Sequence, residues 1–374
     1  KFRLLRSCVF TAPTSSFTPC RRRKRATAAR RALLRNPQMR RFATKSAHKV
    51  VVTARCFDST LELLRPRCAV VSNASVEPWS RAELIDRAHD AHALLCFMTD
   101  TVDAELLDAC PNLSLVACAL KGFDNFDVAE CARRGVAVTA VPDLLTAPTA
   151  ELALALALGL GRRTLEADAN VRRGDFRGWQ PTLYGSGLAG ATVGLFGAGA
   201  VGQAVAARLA GFAPAHVLYH DIAALEPETE RTLGIARCDG GLEGLLARSD
   251  VLFVCTPLTA QTRHAICHET LENAKPGLRL INVSRGSCVS EAAVADALEA
   301  GRLGGYAADV FEFEDWAWAR RPAEVEPRLR ASSRTLLSPH LGSAVEETRR
   351  EIELAAAAEV VRWLDGEALA FRVN

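Results

Sequence analysis

The sequence predicts an α/β fold built on parallel sheets, with one doubly wound domain inserted into a second, smaller one. Three observations carry this. Short apolar runs alternate with helix-spaced segments throughout residues 49–374, the pattern of strand–helix–strand units. The pattern occurs twice, over 49–145 and again from Thr192, with a helical stretch from about Thr149 to Val171 between the two series. The second series opens on Thr192-Val-Gly-Leu-Phe-Gly197-Ala-Gly199-Ala-Val-Gly202, a strand running through a glycine-rich turn into a helix.

The first 48 residues stand apart. They hold 14 Lys or Arg and no Asp or Glu, which leaves 32 basic and 43 acidic residues in 49–374, a net charge of −11. A body this acidic is repelled by phosphate backbones, which argues against a nucleic-acid partner. An Arg-rich, acid-free stretch has the composition of an organelle transit peptide, and Arg40-Arg41-Phe42-Ala43 resembles a mitochondrial processing site. Residues 1–48 are therefore expected to be a disordered basic leader addressing an organelle matrix, a mitochondrion in preference to a plastid. The address becomes cytoplasmic if translation begins at Met39. The twelve cysteines show no Cys-x-x-Cys spacing and several fall in apolar runs, so they read as core residues in a reducing compartment. The apolar run from Leu152 to Gly161 is too short to cross a bilayer, and no membrane span is expected.

In chain order, apolar runs at Val50–Thr53, Ala69–Val71, Ala93–Phe97, Leu113–Cys118 and Val136–Thr139 are expected as the strands of the smaller, flavodoxin-like substrate domain. Helical spacing separates them at Ser80–Ala88 and Asp103–Ala109. Runs at Val193–Gly197, Val217–His220, Val251–Cys255, Arg279–Val283, Tyr306–Val310 and Thr335–Ser338 supply six more strands, which a Rossmann-type domain requires. An amphipathic helix from Glu346 to Leu364 closes the chain. The expected boundaries are 49–145 for the first part of the substrate domain, 146–339 for the nucleotide domain and 340–374 for the return to the substrate domain.

The turn that opens the second series is a dinucleotide fingerprint with its context attached. Gly197 permits the tight turn, Gly199 the close approach of backbone to a pyrophosphate, and Gly202 close packing of helix on sheet. Ala200 and Val201 begin the helix whose free N–H groups and positive dipole end favour phosphate. Asp221 ends the next strand, where a carboxylate binds both ribose hydroxyls and repels a 2′-phosphate, so NAD is expected over NADP.

Three polar residues directly follow strands of the second series: Arg285, Glu314 and His340. An imidazole beside a carboxylate can pass a proton near neutral pH, and a guanidinium grips a two-oxygen anion in a planar fork. Singly, Arg285 reads equally well as a surface charge, Glu314 as part of an acidic run with Glu312 and Asp315, and His340 as a core histidine. Their shared strand-end placement is what makes them a set.

With the glycine fingerprint, Asn282-x-x-Arg285-Gly286, Asp309-Val-Phe-x-x-Glu314 and Pro339-His340-Leu-Gly resemble the D-isomer-specific 2-hydroxyacid dehydrogenases. The resemblance implies that Arg285, Glu314 and His340 are the catalytic set. Within that family, Leu120-Lys-Gly-Phe-Asp-Asn-Phe-Asp127, Val141-Pro-Asp-Leu-Leu-Thr146, Phe176-Arg-Gly-Trp-Gln-Pro181, Glu314-Asp-Trp316 and His340-Leu-Gly-Ser-Ala-Val345 are similar to the phosphonate (phosphite) dehydrogenases, over essentially all of 49–374. This implies a homodimeric, NAD-dependent oxidase of phosphite, with Lys121, Gly122, Met98 and Arg349 at the substrate and Thr149, Pro257 and Asp309 at the cofactor. It also places Trp179 and Tyr184 in a loop near the site and the dimer contact. The alternatives are a D-2-hydroxyacid dehydrogenase or glyoxylate reductase using the same Arg, Glu and His, and an NADH-sensing, corepressor-like binding protein.

Val283-Ser284 before Arg285, Ser290, and the Gly240-Gly241 insertion depart from the pattern without removing a named group. His89-x-x-His92 and His264-x-x-x-His268 have helical spacing but no completing ligands, so exposed helix faces are expected and no metal. A fusion of residues 1–48 to a fluorescent reporter should concentrate in an organelle; a diffuse cytosolic signal would sink the transit-peptide expectation.

Overall fold

Short apolar runs that do not alternate with polar residues suit strands covered on both faces, and the chain uses them that way. The computed structural model describes residues 48–374; the expected leader lies outside the described residues except for its last position. Strands β1 (Lys49–Val52), β2 (Ala69–Ser72), β3 (Ala93–Cys96), β4 (Leu115–Cys118) and β5 (Ala137–Thr139) form a parallel sheet in the order β2-β1-β3-β4-β5. This is the flavodoxin-like order. Strands β6 (Thr192–Phe196), β7 (His216–His220), β8 (Ala236–Arg237), β9 (Val251–Val254), β10 (Leu278–Asn282), β11 (Leu303–Ala308) and β12 (Thr335–Leu337) form a second parallel sheet, ordered β12-β11-β10-β9-β6-β7-β8. That is the Rossmann order extended by one strand. β3, β4, β9 and β10 are buried along their whole length.

Helix starts follow local chemistry. Ser80 caps the Arg81–Ala88 helix in a capping box with Glu83, and Asp103 and Asp127 accept from Leu106 N–H at 3.0 Å and Glu130 N–H at 2.9 Å. Each such cap contributes about 1 kcal/mol. The Glu346–Leu364 helix has the expected bounds and buries Ile352, Ala356, Ala357 and Val360 against the Asp58–Leu64 helix and β3–β4. The chain thus returns to the first sheet after building the second.

Two expectations are corrected. The single helix from Thr149 to Val171 is two, Thr146–Gly161 and Thr164–Arg172, with Arg163 in the left-handed region at φ +52° between them. The cause is packing at the first helix's end. A Cβ on Gly161 would lie 2.3 Å from Arg279 Nη1 and 2.7 Å from the Ser186 carbonyl oxygen, so returning chain occupies the space there. Arg279, buried in β10, donates to the carbonyl oxygens of Ser186 (3.2 Å) and Gly187 (3.1 Å). The second helix buries nothing, and the segment after it exposes Phe176, Trp179 and Tyr184. The sheet also gains β8, two exposed residues that no apolar run announces.

At the carboxyl edge of the first sheet, Asp100 anchors the loop that carries Met98. Its Oδ2 accepts from Phe97 N–H at 2.7 Å and from the buried Thr53 hydroxyl. Burial pushes its pKa up to about 6, against the lowering effect of those two donors and the charge of Arg81. A raised folded-state pKa contributes stability that is full below the unfolded value, near ~4, and is lost as pH rises through about 6. Asp100→Asn should therefore remove roughly 3 kcal/mol or less of pH-dependent stability between those limits. Urea midpoints of variant and parent across that range check this; parallel pH profiles would refute it.

Candidate active site

Both sheets end on one cleft of ≈ 550 Å³. Met98, Lys121 and Gly122 line it from the first domain, following β3 and β4. From the second come Gly199, Ala200 and Val201 after β6, Pro257 after β9, Arg285 after β10, Asp309 after β11, and His340 after β12, with Thr149 from the Thr146–Gly161 helix. The β6–β9 boundary is where strand order reverses, the place an open α/β sheet binds ligands.

The glycines fit a dinucleotide. Gly197 has φ +96°, and a Cβ there would lie 2.8–2.9 Å from the Cys255–Thr256 backbone. A Cβ on Gly202 would lie 2.1 Å from the Gly197 carbonyl oxygen. Gly199, by contrast, has open space at its Cβ position and caps the Ala200–Leu209 helix, so a pyrophosphate can lie directly on free N–H groups. Asp221 stands at the end of β7 but does not line the cleft.

His340 sits in the left-handed region at φ +55°, a conformation that costs a non-glycine residue energy and persists only when over-determined. Its surroundings do so. His340 N–H donates to the Asp309 carbonyl oxygen at 2.8 Å, while the Asp309 carboxylate accepts from the Ser338 hydroxyl (2.6 Å), Leu341 N–H (2.7 Å) and Gly342 N–H (2.8 Å). Burial raises the Asp309 pKa against those donors. Asp309, expected at the cofactor, spends both carboxylate oxygens on shaping the histidine loop. His340 Nδ1 lies 2.7 Å from Glu314 Oε2, and Glu314 Oε1 accepts from Phe311 N–H at 2.9 Å, leaving Nε2 as the free ring nitrogen.

Arg285 follows an asparagine turn. Asn282 accepts from Ser284 N–H (3.1 Å) and hydroxyl (2.8 Å) and donates to the Arg285 carbonyl oxygen (3.1 Å). The guanidinium crosses the cleft: Nε lies 3.1 Å from both carboxylate oxygens of Asp124 in the opposite domain. It rests on Gly122, where a Cβ would come within 1.7 Å of Nη2. Lys121 pairs with Asp143 at 2.8 Å. Burial works against the Asp143 carboxylate, but hydrogen bonds from Lys121 and Thr146 hold its pKa below the ordinary value.

Arg349, expected at the substrate, is not brought to the cleft wall. It is largely buried beneath it, with Nη1 3.4 Å from the Ala119 carbonyl oxygen, the guanidinium 5.8 Å from the Phe97 ring centroid, and Glu353 at 3.9 Å. Burial lowers its pKa, and Glu353 opposes this.

The sequence also gave no sign of how the Arg285 loop and the Glu314 turn are joined. Glu291 N–H donates to Glu312 Oε1 at 2.8 Å while Glu312 N–H donates to Glu291 Oε1 at 2.7 Å, and both carboxylates are buried. Ser287 N–H donates to Asp315 at 2.9 Å, and Gly286 touches the Phe311 carbonyl so closely that a Cβ would fall 1.9 Å from its carbon. His264 completes the arrangement, its Nε2 2.9 Å from Glu312. This corrects the expectation for His264, which lies off any helix and is half-buried; His268 is exposed at the start of the His268–Glu272 helix, as expected, and pairs with Asp296 at 2.7 Å. Among the described residues, no group of three His, Cys, Asp or Glu is arranged to hold a metal.

A dinucleotide cradle opening onto paired cations and an oriented imidazole defines an NAD-dependent oxidoreductase. Residues 154–342 match the model of the D-isomer specific 2-hydroxyacid dehydrogenase NAD binding domain. A glyoxylate reductase of Thermofilum pendens is 37% identical over 335 residues, covering 87% of this chain and 94% of that protein. Among solved structures, a Thermus thermophilus protein aligns with a TM-score of 0.78 at 34% identity, over 87% of this chain and all of that one. An NADPH-dependent glyoxylate/hydroxypyruvate reductase from Sinorhizobium meliloti aligns at 0.74 and 30%, over 87% and 97%. The chain belongs to the D-isomer-specific 2-hydroxyacid dehydrogenase family.

His340→Asn keeps a residue type that tolerates left-handed backbone, so turnover should fall ~10²–10⁴-fold with thermal midpoint and NADH affinity unchanged. Gly122→Ala displaces the flexible end of Arg285 and crowds the Asp124 carboxylate, both side-chain ends, so KM for the anion should rise about tenfold with the fold intact. Steady-state kinetics on both variants check this; an unchanged KM in the glycine variant would remove Arg285 from substrate binding.

Proposed function

We propose that this protein oxidises phosphite to phosphate with NAD. The observation that carries the reading is the convergence of Lys121 and Arg285, from opposite domains, on one small cleft beside the His340–Glu314 pair. Phosphite is compact, tetrahedral and largely dianionic near neutral pH, and it offers no carbon tail to grip. Two cations lining one cleft from opposite domains suit it, and its binding would draw the domains together. The unusual blocks around Lys121, Trp179 and Trp316 support the same substrate.

The Gly197, Gly199 and Gly202 turn would hold NAD, which would supply the hydride acceptor. Arg285 and Lys121 hold the phosphite oxygens. The P–H bond is lost with its electron pair, a water oxygen forms the new P–O bond, and His340 Nε2 takes the proton that water sheds. Glu314 orients the ring and stabilises the imidazolium. The exposed Phe176, Trp179 and Tyr184 form the face we assign to a second copy of the chain, which sedimentation velocity tests directly.

A second reading has the support of the relatives' names. The Thermofilum pendens protein is named a glyoxylate reductase, and the family acts on 2-hydroxyacids. The same Arg285, Glu314 and His340 would serve a 2-hydroxyacid and its oxoacid. NADH formation by the purified full chain, given NAD with phosphite or with D-2-hydroxyacids, and NADH consumption with glyoxylate, separate the two. We expect turnover on phosphite, lowered roughly 100-fold or more by Arg285→Ala. Turnover confined to the hydroxyacids or glyoxylate would replace phosphite by the second reading.

A further inference from the structure

The ribose end of the cofactor site is more basic than its sequence motif implies. Asp221 occupies the position whose carboxylate selects a free 2′-hydroxyl. Yet both of its carboxylate oxygens accept backbone hydrogen bonds, Oδ2 from Ala198 N–H and Oδ1 from Ile222 N–H, each at 2.7 Å. Its charge is thereby partly spent on shaping the glycine turn and its own strand end.

Next to it stands a cation. The edge strand β8 pairs in parallel with β7, with Arg237 opposite Tyr219. From that register the side chain runs forward past the strand ends, and Nη2 donates to the Asp221 carbonyl oxygen at 3.1 Å. Arg237 is exposed, and among the described residues no carboxylate forms an ion pair with it. Its charge is felt locally at His220, whose pKa is held below the usual value by burial and then by Arg237, with Asp221 pulling the other way. A guanidinium is the side chain best matched to a phosphate, in charge and in its planar fork. A weak contact to one carbonyl oxygen leaves it free to turn toward a ligand.

We propose that Arg237 is a binding site for the 2′-phosphate of NADP. Asp221 serves the ribose hydroxyls of NAD, Arg237 offsets its repulsion of a phosphate, and the cradle takes both cofactors with little discrimination. This rests on the dinucleotide site alone and holds whichever anion is the substrate.

The test is calorimetric titration of the purified full chain with NADH and with NADPH, without substrate. The two dissociation constants should lie within about tenfold of each other. Arg237→Ala should weaken NADPH by about tenfold or more while changing NADH by less than about twofold, and Arg237→Lys should recover part of the loss. Added salt should weaken NADPH more than NADH, because the contact is exposed. Three results would overturn the proposal: no measurable NADPH binding by the parent, an unchanged NADPH-to-NADH ratio in Arg237→Ala, or an equal loss of both cofactors, which would make Arg237 a mere brace of the sheet edge.

Discussion

The mutual exchange of backbone hydrogen bonds between Glu291 and Glu312 holds together what the chain would otherwise keep apart. The loop after β10 carries Arg285, and the turn after β11 carries Glu314. Neither has regular structure of more than a few residues. Each buried carboxylate accepts the other residue's N–H, and Gly286 lets the two backbones touch. The Arg285 guanidinium and the carboxylate behind His340 are thereby carried on one joined piece. Buried carboxylates are costly unless satisfied, so this joint tolerates no half-made version.

A similar economy governs His340. A left-handed backbone is needed to turn the imidazole into the cleft, and the Asp309 carboxylate supplies three hydrogen bonds that hold the following residues in that turn. Those three donors, the Ser338 hydroxyl and the Leu341 and Gly342 N–H groups, offset the cost of the turn. The geometry of the candidate site rests on acidic side chains, those of Asp309, Glu291 and Glu312, used as backbone scaffolding.

Much of this was legible in the sequence. Continuous apolar runs marked eleven of the twelve strands because buried parallel strands need no polar alternation. Gly197, Gly199 and Gly202 could be read because each glycine answers a distinct steric demand. Arg285, Glu314 and His340 could be placed at strand ends by counting. What stayed hidden was pairwise. The two-residue β8 has no periodicity to read, and the break at Arg163 depends on Arg279 and Ser186, distant in sequence. The partners of Lys121 and Arg285 are aspartates that look like ordinary loop residues. Arg349 was put at the substrate by the resemblance alone, and its packing against Ala119 and Phe97 is a contact that sequence spacing does not show.

Those two aspartates have a last consequence. Asp124 on Arg285 and Asp143 on Lys121 give each cation a carboxylate partner. Any anion that takes hold of either side chain therefore competes with a carboxylate already seated there, and its entry is an exchange of partners.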